Sequence, residues 1–72
     1  MLKQKTIETE QRAQTALSTS PIYVLRQLQV EQFDDCLLLS GRVDNYYHKQ
    51  LAQEVVRAVS GSMKIVNSVN VD

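Results

Sequence analysis

The feature that most limits the fold of this chain is a pair of apolar stretches separated only by Asp34 and Asp35. In LQVEQFDDCLLLSGRV, apolar and polar residues alternate before the aspartates, and an apolar run follows them. Strands joined by so short a polar turn form an antiparallel hairpin. We predict a first strand that starts near Arg26 and a second strand from Cys36 to Val43. One face of the second strand then carries Leu37, Leu39, Gly41 and Val43.

A helical pattern precedes the hairpin. The first helix is predicted from Thr6 to about Ser18, with Glu8 and Glu10 early, where carboxylates favour the helix dipole. Its apolar set is thin, so the helix needs a surface to dock on; the set is Ile7, Ala13, Ala16 and Leu17. Pro21 follows the helix, and residues 19–25 are predicted to form a connector to the first strand.

A second helix and a last strand complete the chain. Asp44 or Asn45 is the expected N-cap, and Gly61 suits the left-handed position after Ser60. The apolar side of this helix is predicted to comprise Leu51, Ala52, Val55, Val56, Ala58 and Val59. The last strand is predicted from 63 to 71. Because a strand, helix, strand crossover normally returns parallel, this strand should run parallel to the second, beside either earlier strand.

The predicted fold class is therefore α+β, in the order helix, strand, strand, helix, strand. We expect a three-stranded mixed sheet with both helices packed on one face, in a single domain over 1–72 with its core at about 7–71. A chain of 72 residues buries only about 60% of the surface of its unfolded form. Little apolar surface is left to line an enclosed pocket, so the length argues against an enzyme.

The charges are balanced, with eight basic and eight acidic residues that do not cluster. A nucleic-acid surface normally shows a basic stripe, so we expect no nucleic-acid partner. The longest apolar stretch, CLLL, is too short to cross a bilayer. The composition predicts a soluble chain and leaves the compartment and the oligomeric state open.

The order of elements, together with particular residues, resembles the BON domain, a small bacterial module of osmotically inducible and nodulation proteins. The family pattern V-x-L-x-G-x-V in the hairpin is matched by Leu37, Leu39, Gly41 and Val43. The family pattern at the end of the second helix is matched by Ala52, Val55, Val56, Val59 and Gly61. The closing strand of the family resembles IVNSVNV here. Asp35 and Ser62 depart from the family, which usually has a turn glycine and an apolar residue there.

The resemblance implies a non-catalytic, envelope-associated binding module without a cofactor, often part of a larger protein. Such modules are thought to contact phospholipid or other ligands. The implied location is the bacterial periplasm or envelope if the chain is a fragment of an exported protein, and the cytoplasm otherwise.

The start of the second helix supplies the first candidate site. We expect Tyr46 to face solvent beside Lys49, with Arg42 close in sequence, and Tyr47 to face the margin of the core. An exposed tyrosine among basic side chains suits a lipid headgroup or a sugar because its ring is amphipathic. The alternative is an ordinary surface tyrosine.

The sheet face opposite the helices supplies the second candidate site. We expect Phe33 and Leu38 there as an apolar patch, a feature that favours a protein contact. The same face is predicted to hold Cys36, Ser40 and Arg26. Ring-building domains of bacterial secretion systems have a similar order of elements, so an assembly module is the alternative function.

Other residues favour structural roles. His48 is the only histidine and is predicted to be partly buried at the helix start, without a partner set for catalysis. Asp34 and Asp35 lack the further oxygen ligands that calcium needs, so we expect no metal. Gly41 is predicted to face the core, where its missing Cβ lets a helix approach the sheet.

Overall fold

The computed structural model describes the backbone of residues 2–72 and the side chains of residues 8–72. Its elements are α1 (Leu2–Ser18), a 3₁₀ helix (Tyr23–Gln27), β1 (Gln29–Phe33), β2 (Cys36–Ser40), β3 (Arg42–Val43), α2 (Tyr46–Ser60), β4 (Lys64–Asn67) and β5 (Asn70–Val71). The α+β class and the packing of both helices on a mixed sheet are confirmed.

The main sheet has the order β1-β2-β4. β1 and β2 are antiparallel, with Phe33 opposite Cys36 across the two-residue turn. β4 is parallel to β2, with Leu37 opposite Ile65, so the predicted parallel return is confirmed. The strand order also shows which of the two earlier strands β4 pairs with. β4 lies beside β2, and β1 forms the opposite edge of the sheet.

The turn between β1 and β2 is formed by the two aspartates as predicted. Only Asp34 has positive φ, at 53°, a conformation that aspartate tolerates better than most residues. Asp35, where the family usually has a turn glycine, does not have positive φ, so this turn does not need a glycine at that position.

Two strands are shorter than predicted because each is interrupted. The second strand breaks at Gly41 into β2 and β3, and the last strand breaks after Asn67 into β4 and β5. At the second break, the side-chain Oδ1 of Asn67 accepts a hydrogen bond from the Val69 N–H at 3.2 Å, which turns the chain locally. Parallel pairing resumes beyond the breaks, where Arg42 lies opposite Asn70.

Gly41 has the close-approach role that the sequence suggested, but toward a different neighbour. Its φ is +126°, and a Cβ added there would lie 2.7 Å from Leu28 Cδ2 and 3.4 Å from Leu28 Cα. Leu28 is almost fully buried, so its side chain has little room to move away. The prediction that a helix occupies this space is wrong, because the approaching residue belongs to the segment that enters β1.

The first strand begins at Gln29 and not near Arg26. The preceding segment is the 3₁₀ helix, in which the Leu25 N–H donates to Ile22 O and the Leu28 N–H donates to Leu25 O. Side chains three residues apart lie on the same side of such a helix. Ile22, Leu25 and Leu28 therefore all turn toward the core, and Arg26 is removed from the sheet face.

The core lies between the helices and the sheet. Its buried residues are Ala13, Leu17, Leu25, Leu28, Val30, Leu37, Leu39, Val43, Ala52, Val56 and Val69. Most of the predicted apolar side of α2 packs on this core, but Ala58 is exposed, contrary to the prediction. Ile7 lies outside the residues whose side chains are described.

Helix α1 also covers the outer edge of β1 with polar side chains. Gln14 Oε1 accepts from the Val30 N–H at 2.9 Å, and Gln14 Nε2 donates to Leu28 O at 3.0 Å. Glu10 Oε2 accepts from the Gln32 N–H at 2.8 Å. The helix starts at Leu2, four residues earlier than predicted. Glu10 therefore lies beyond the first turn and serves the strand instead of the helix dipole.

Candidate functional site

The start of α2 is fixed by Asn45, one of the two predicted caps. Asn45 Oδ1 accepts a hydrogen bond from the His48 N–H at 2.8 Å, which satisfies one of the unpaired donors of the first turn. Asp44 has a different role, since its Oδ1 lies 2.5 Å from His48 Nδ1. This hydrogen bond holds the pKa of Asp44 below its ordinary value. His48 is partly buried as expected, with 20% of its side chain exposed.

Both tyrosines of the first turn of α2 project into solvent. Tyr46 is 76% exposed, as predicted, and Tyr47 is 69% exposed. The prediction that Tyr47 faces the core margin is wrong, because the fully buried side of α2 begins only at Ala52. The Tyr47 ring instead lies against the His48 ring, with 5.5 Å between centroids.

A third exposed tyrosine lies in the 3₁₀ helix, next to the elements that carry the start of α2. Tyr23, which is 69% exposed, starts the 3₁₀ helix, and this helix contacts both β3 and α2. The guanidinium of Arg26 lies 5.9 Å from the centroid of the Tyr23 ring, and its Nε donates to Ser20 O at 2.7 Å. We call this surface, formed by Tyr23, Arg26, Arg42, Tyr46 and Tyr47, the tyrosine end.

The sequence interpretation missed Tyr23 because it treated residues 19–25 as an irregular connector. The signal was present in the spacing of Ile22, Leu25 and Leu28, which recurs every three residues and fits a 3₁₀ helix better than a strand. With that assignment, Tyr23 and Arg26 fall outside the buried positions.

The two basic candidates differ in their surroundings. Arg42 is exposed and lies 3.9 Å from Asp72 through Nη1 and Oδ1, a surface ion pair of small energy. Lys49 is half-buried, and its carbonyl accepts a hydrogen bond from Asn67 Nδ2 at 2.9 Å. Arg42 is therefore the exposed basic candidate of the two, whereas the backbone of Lys49 joins α2 to β4 through the Asn67 side chain.

The opposite face of the sheet carries an apolar row. Leu38 lies between Glu31 on β1 and Val66 on β4, and Phe33 lies one row away, opposite Cys36. Phe33 is 56% exposed and Val66 is 46% exposed, while Leu38 is half-buried.

We call this surface, formed by Phe33, Leu38 and Val66, the open face. It includes both apolar residues expected from the sequence and adds Val66, which the alternation of β4 could have indicated. Arg26, which was also expected here, lies in the 3₁₀ helix instead. Cys36 and Ser40 border the row and are half-buried. Burial raises the pKa of the Cys36 thiol, and the nearby Asp35 carboxylate raises it further.

Two recesses of about 420 Å³ each lie elsewhere on the surface, and both are open to solvent. The first runs between the two helices and includes Arg12, Ala16 and Val59. The second includes Gln32 and the turn residues Asp34 and Asp35. Gln32 Oε1 is buried and has no hydrogen-bond partner among the described residues. Within that part of the chain, no group of three or more His, Cys, Asp or Glu side chains could hold a metal ion.

Comparison with known proteins identifies the family. A search of curated proteins finds no match. Over the described residues, no helix is both long and apolar enough to span a bilayer. The family model of the BON domain matches residues 6–72, a range that includes the hairpin, α2 and both strands after it. The chain belongs to the BON domain family.

Proposed function

We propose that this BON domain is a non-catalytic binding module that contacts phospholipid surfaces through its tyrosine end. The observation that carries the proposal is the exposure of Tyr23, Tyr46 and Tyr47, between 69% and 76% each, on two elements that contact each other, the 3₁₀ helix and α2. A tyrosine ring has an apolar body and a polar tip, so it is favoured at the boundary between headgroups and acyl chains.

The charges near this end suit a weak interfacial contact. Arg26 and Arg42 supply positive charge, and Asp44 and Asp72 offset it. Each basic residue near an anionic surface contributes about 1 kcal/mol, so the balance leaves little net attraction. Binding should therefore depend on ring insertion more than on lipid charge, and it should be strengthened when several copies act together.

Vesicle co-sedimentation tests the proposal. We expect the chain to pellet with vesicles of neutral phosphatidylcholine and, somewhat more, with vesicles that also contain anionic phosphatidylglycerol. A variant with Tyr46→Ser and Tyr47→Ser should lose most of this binding, whereas Phe33→Ser, which removes an exposed aromatic (56%) from the open face, should retain it. If the chain pelleted with neither kind of vesicle, the proposal would be rejected.

A second candidate function, protein assembly, is favoured by the open face. Phe33, Leu38 and Val66 lie in adjacent rows of one sheet face, where Phe33 and Val66 are exposed, and exposed apolar patches often mark protein contacts. Sedimentation equilibrium over a wide concentration range tests it. Self-association that Phe33→Ser weakens would support assembly through this face, and a monomer at all concentrations would exclude self-assembly.

A further inference from the structure

The outer edge of β4 is the feature from which a further inference follows. We propose that this edge pairs antiparallel with the same edge of a second copy of the chain, so that the two sheets become one. Edge pairing is one form of the protein assembly described above as the second candidate function, and it does not depend on contact with lipid.

The direction of the β4 backbone follows from its pairing with β2. The Lys64 N–H donates to Asp35 O at 3.1 Å, and the Ser68 N–H donates to Leu39 O at 2.9 Å. In a parallel strand, alternate residues direct their backbone groups to the same side. Lys64, Val66 and Ser68 therefore face β2, and Ile65 and Asn67 direct their N–H and C=O groups outward.

Nothing in the described part of the chain pairs with these outward groups. β4 has β2 as its single neighbour in the sheet, and no turn or loop hydrogen bond within residues 8–72 reaches the backbone of Ile65 or Asn67. We call this side of β4 the bare edge. A row of unpaired backbone donors and acceptors beside a strand is a template for another strand.

The bare edge is self-complementary in one antiparallel register. When Val66 lies opposite Val66 of the second copy, Ile65 of each copy lies opposite Asn67 of the other. These two residues then exchange both backbone hydrogen bonds, as opposed residues do in such a pair. The register joins the two open faces at Val66 and makes one continuous apolar surface.

The charges of β4 permit this register. Lys64 is the only charged residue of the strand, and it lies opposite Ser68 of the second copy, so like charges do not meet across the axis. Like charges directly opposite each other would oppose pairing. A second copy therefore fits the bare edge in this register without a like-charge contact.

The other edge of the sheet explains why pairing would stop at two copies. The outward N–H groups of Val30 and Gln32 on β1 already donate to Gln14 and Glu10 of α1. A chain with one covered edge and one bare edge closes as a two-fold dimer and does not extend into a fibre.

The paired segment is short, so the dimer is expected to be weak. A strand of four residues spans about 13 Å at a rise of roughly 3.3 Å per residue, which is less contact than a stable interface provides. A covalent trap is therefore a better assay than a mass measurement at low concentration.

Cysteine crosslinking tests the register directly. In the proposed dimer, the two Val66 residues form a pair without backbone hydrogen bonds, with Cα atoms about 4.5 Å apart, within the range that a disulfide accepts. With Cys36→Ser as background, we expect Val66→Cys to form a disulfide dimer rapidly under mild oxidation. The matched control is Glu31→Cys, which lies in the same row of the open face. Its Cα atoms would be about 24 Å apart in the dimer, from a strand spacing of about 4.8 Å, and should not crosslink.

Charge exchange supplies a second readout that needs no cysteine. Val66→Lys and Val66→Glu place like charges opposite each other and should each lose the concentration-dependent increase in sedimentation coefficient, while a mixture of the two variants should regain it. Equal crosslinking of Val66→Cys and Glu31→Cys, or a mixture that stays monomeric, would overturn the proposal. Association that is lost with Phe33→Ser but unaffected by both Val66 charge variants would support contact through the open face and reject edge pairing.

Discussion

The two edges of the sheet differ in whether their outward backbone groups have hydrogen-bond partners. At the outer edge of β1, which we call the capped edge, the Gln14 amide and the Glu10 carboxylate pair with Leu28 O and with the N–H groups of Val30 and Gln32. At the bare edge of β4, α2 hydrogen-bonds to the Asn67 side chain, through Lys49 O and Gln53 Oε1, and within the described residues it makes no hydrogen bond to the outward backbone groups of Ile65 and Asn67. A helix that packs beside a strand can protect that strand only if its polar side chains meet the unpaired backbone groups.

The largest expected effect comes from filling the space beside Gly41, because Leu28 is both its close neighbour and part of the capped edge. Gly41→Val should lower the free energy of unfolding by about 2 to 6 kcal/mol, which combines overpacking of about 1 to 3 kcal/mol with backbone strain of about the same size. Urea denaturation measures the change. Displacement of Leu28 would also shift its carbonyl from Gln14.

The matched control is the second glycine with positive φ. Gly61 has φ of +64°, and nothing lies within 4 Å of a Cβ added there. Gly61→Val should therefore show the backbone strain without overpacking and a smaller loss. The two losses should differ by the overpacking of about 1 to 3 kcal/mol, a large part of a total stability of roughly 4 to 11 kcal/mol. Equal losses would mean that contact with Leu28 contributes nothing.

The next effect tests the capped edge itself. Gln14→Ala removes the partners of the Val30 N–H and of Leu28 O, and we expect a loss of about 1 to 3 kcal/mol for leaving these part-buried groups unsatisfied. Uncovering a second edge should also allow species larger than a dimer, which sedimentation velocity would detect. Gln11→Ala, at an exposed position of the same helix, is the control and should change neither property.

A smaller effect is expected at Asn67, whose side chain hydrogen-bonds β4 to α2. Asn67→Ala removes the hydrogen bonds to Lys49 O and from the Val69 N–H, and should lower the free energy of unfolding by about 1 to 2 kcal/mol. Ser68→Ala, at an exposed neighbouring position, should have little effect. Because edge pairing uses the backbone of Asn67, crosslinking through Val66→Cys should continue in the Asn67→Ala background. Its complete loss there would assign the pairing to the side chain.

These edges also show how far the sequence determines the fold. The hairpin, α2 and the parallel return follow from alternation, helical spacing and the crossover rule, because each is a local pattern or a consequence of chain chirality. The functions of Glu10 and Gln14 could not be predicted, since they depend on how α1 lies against a strand about twenty residues later. The neighbour of Gly41 was misassigned for the same reason.

The candidate surfaces were predictable to different degrees. Phe33 and Leu38 follow from strand alternation, and Tyr46 follows from its place after the cap. Tyr47 was misassigned because the helical period gives the direction of a side chain but not where the underlying core ends. Tyr23 was missed because a period of three was interpreted as an irregular connector.

The smallest effect is expected from acid and concerns the start of α2, which belongs to neither edge. The hydrogen bond from His48 holds the pKa of Asp44 below its ordinary value of 3.8. The ionised carboxylate therefore contributes its full stabilisation above pH 3.8. This contribution is lost as the pH falls through the lower pKa that Asp44 has in the folded state. Unfolding of the wild type and of Asp44→Asn should be compared from neutral pH to below 3.8. The difference between their free energies of unfolding should be constant at the upper end of this pH range and shrink at the lower end. A difference that does not vary with pH would show that the charge of Asp44 adds no stability.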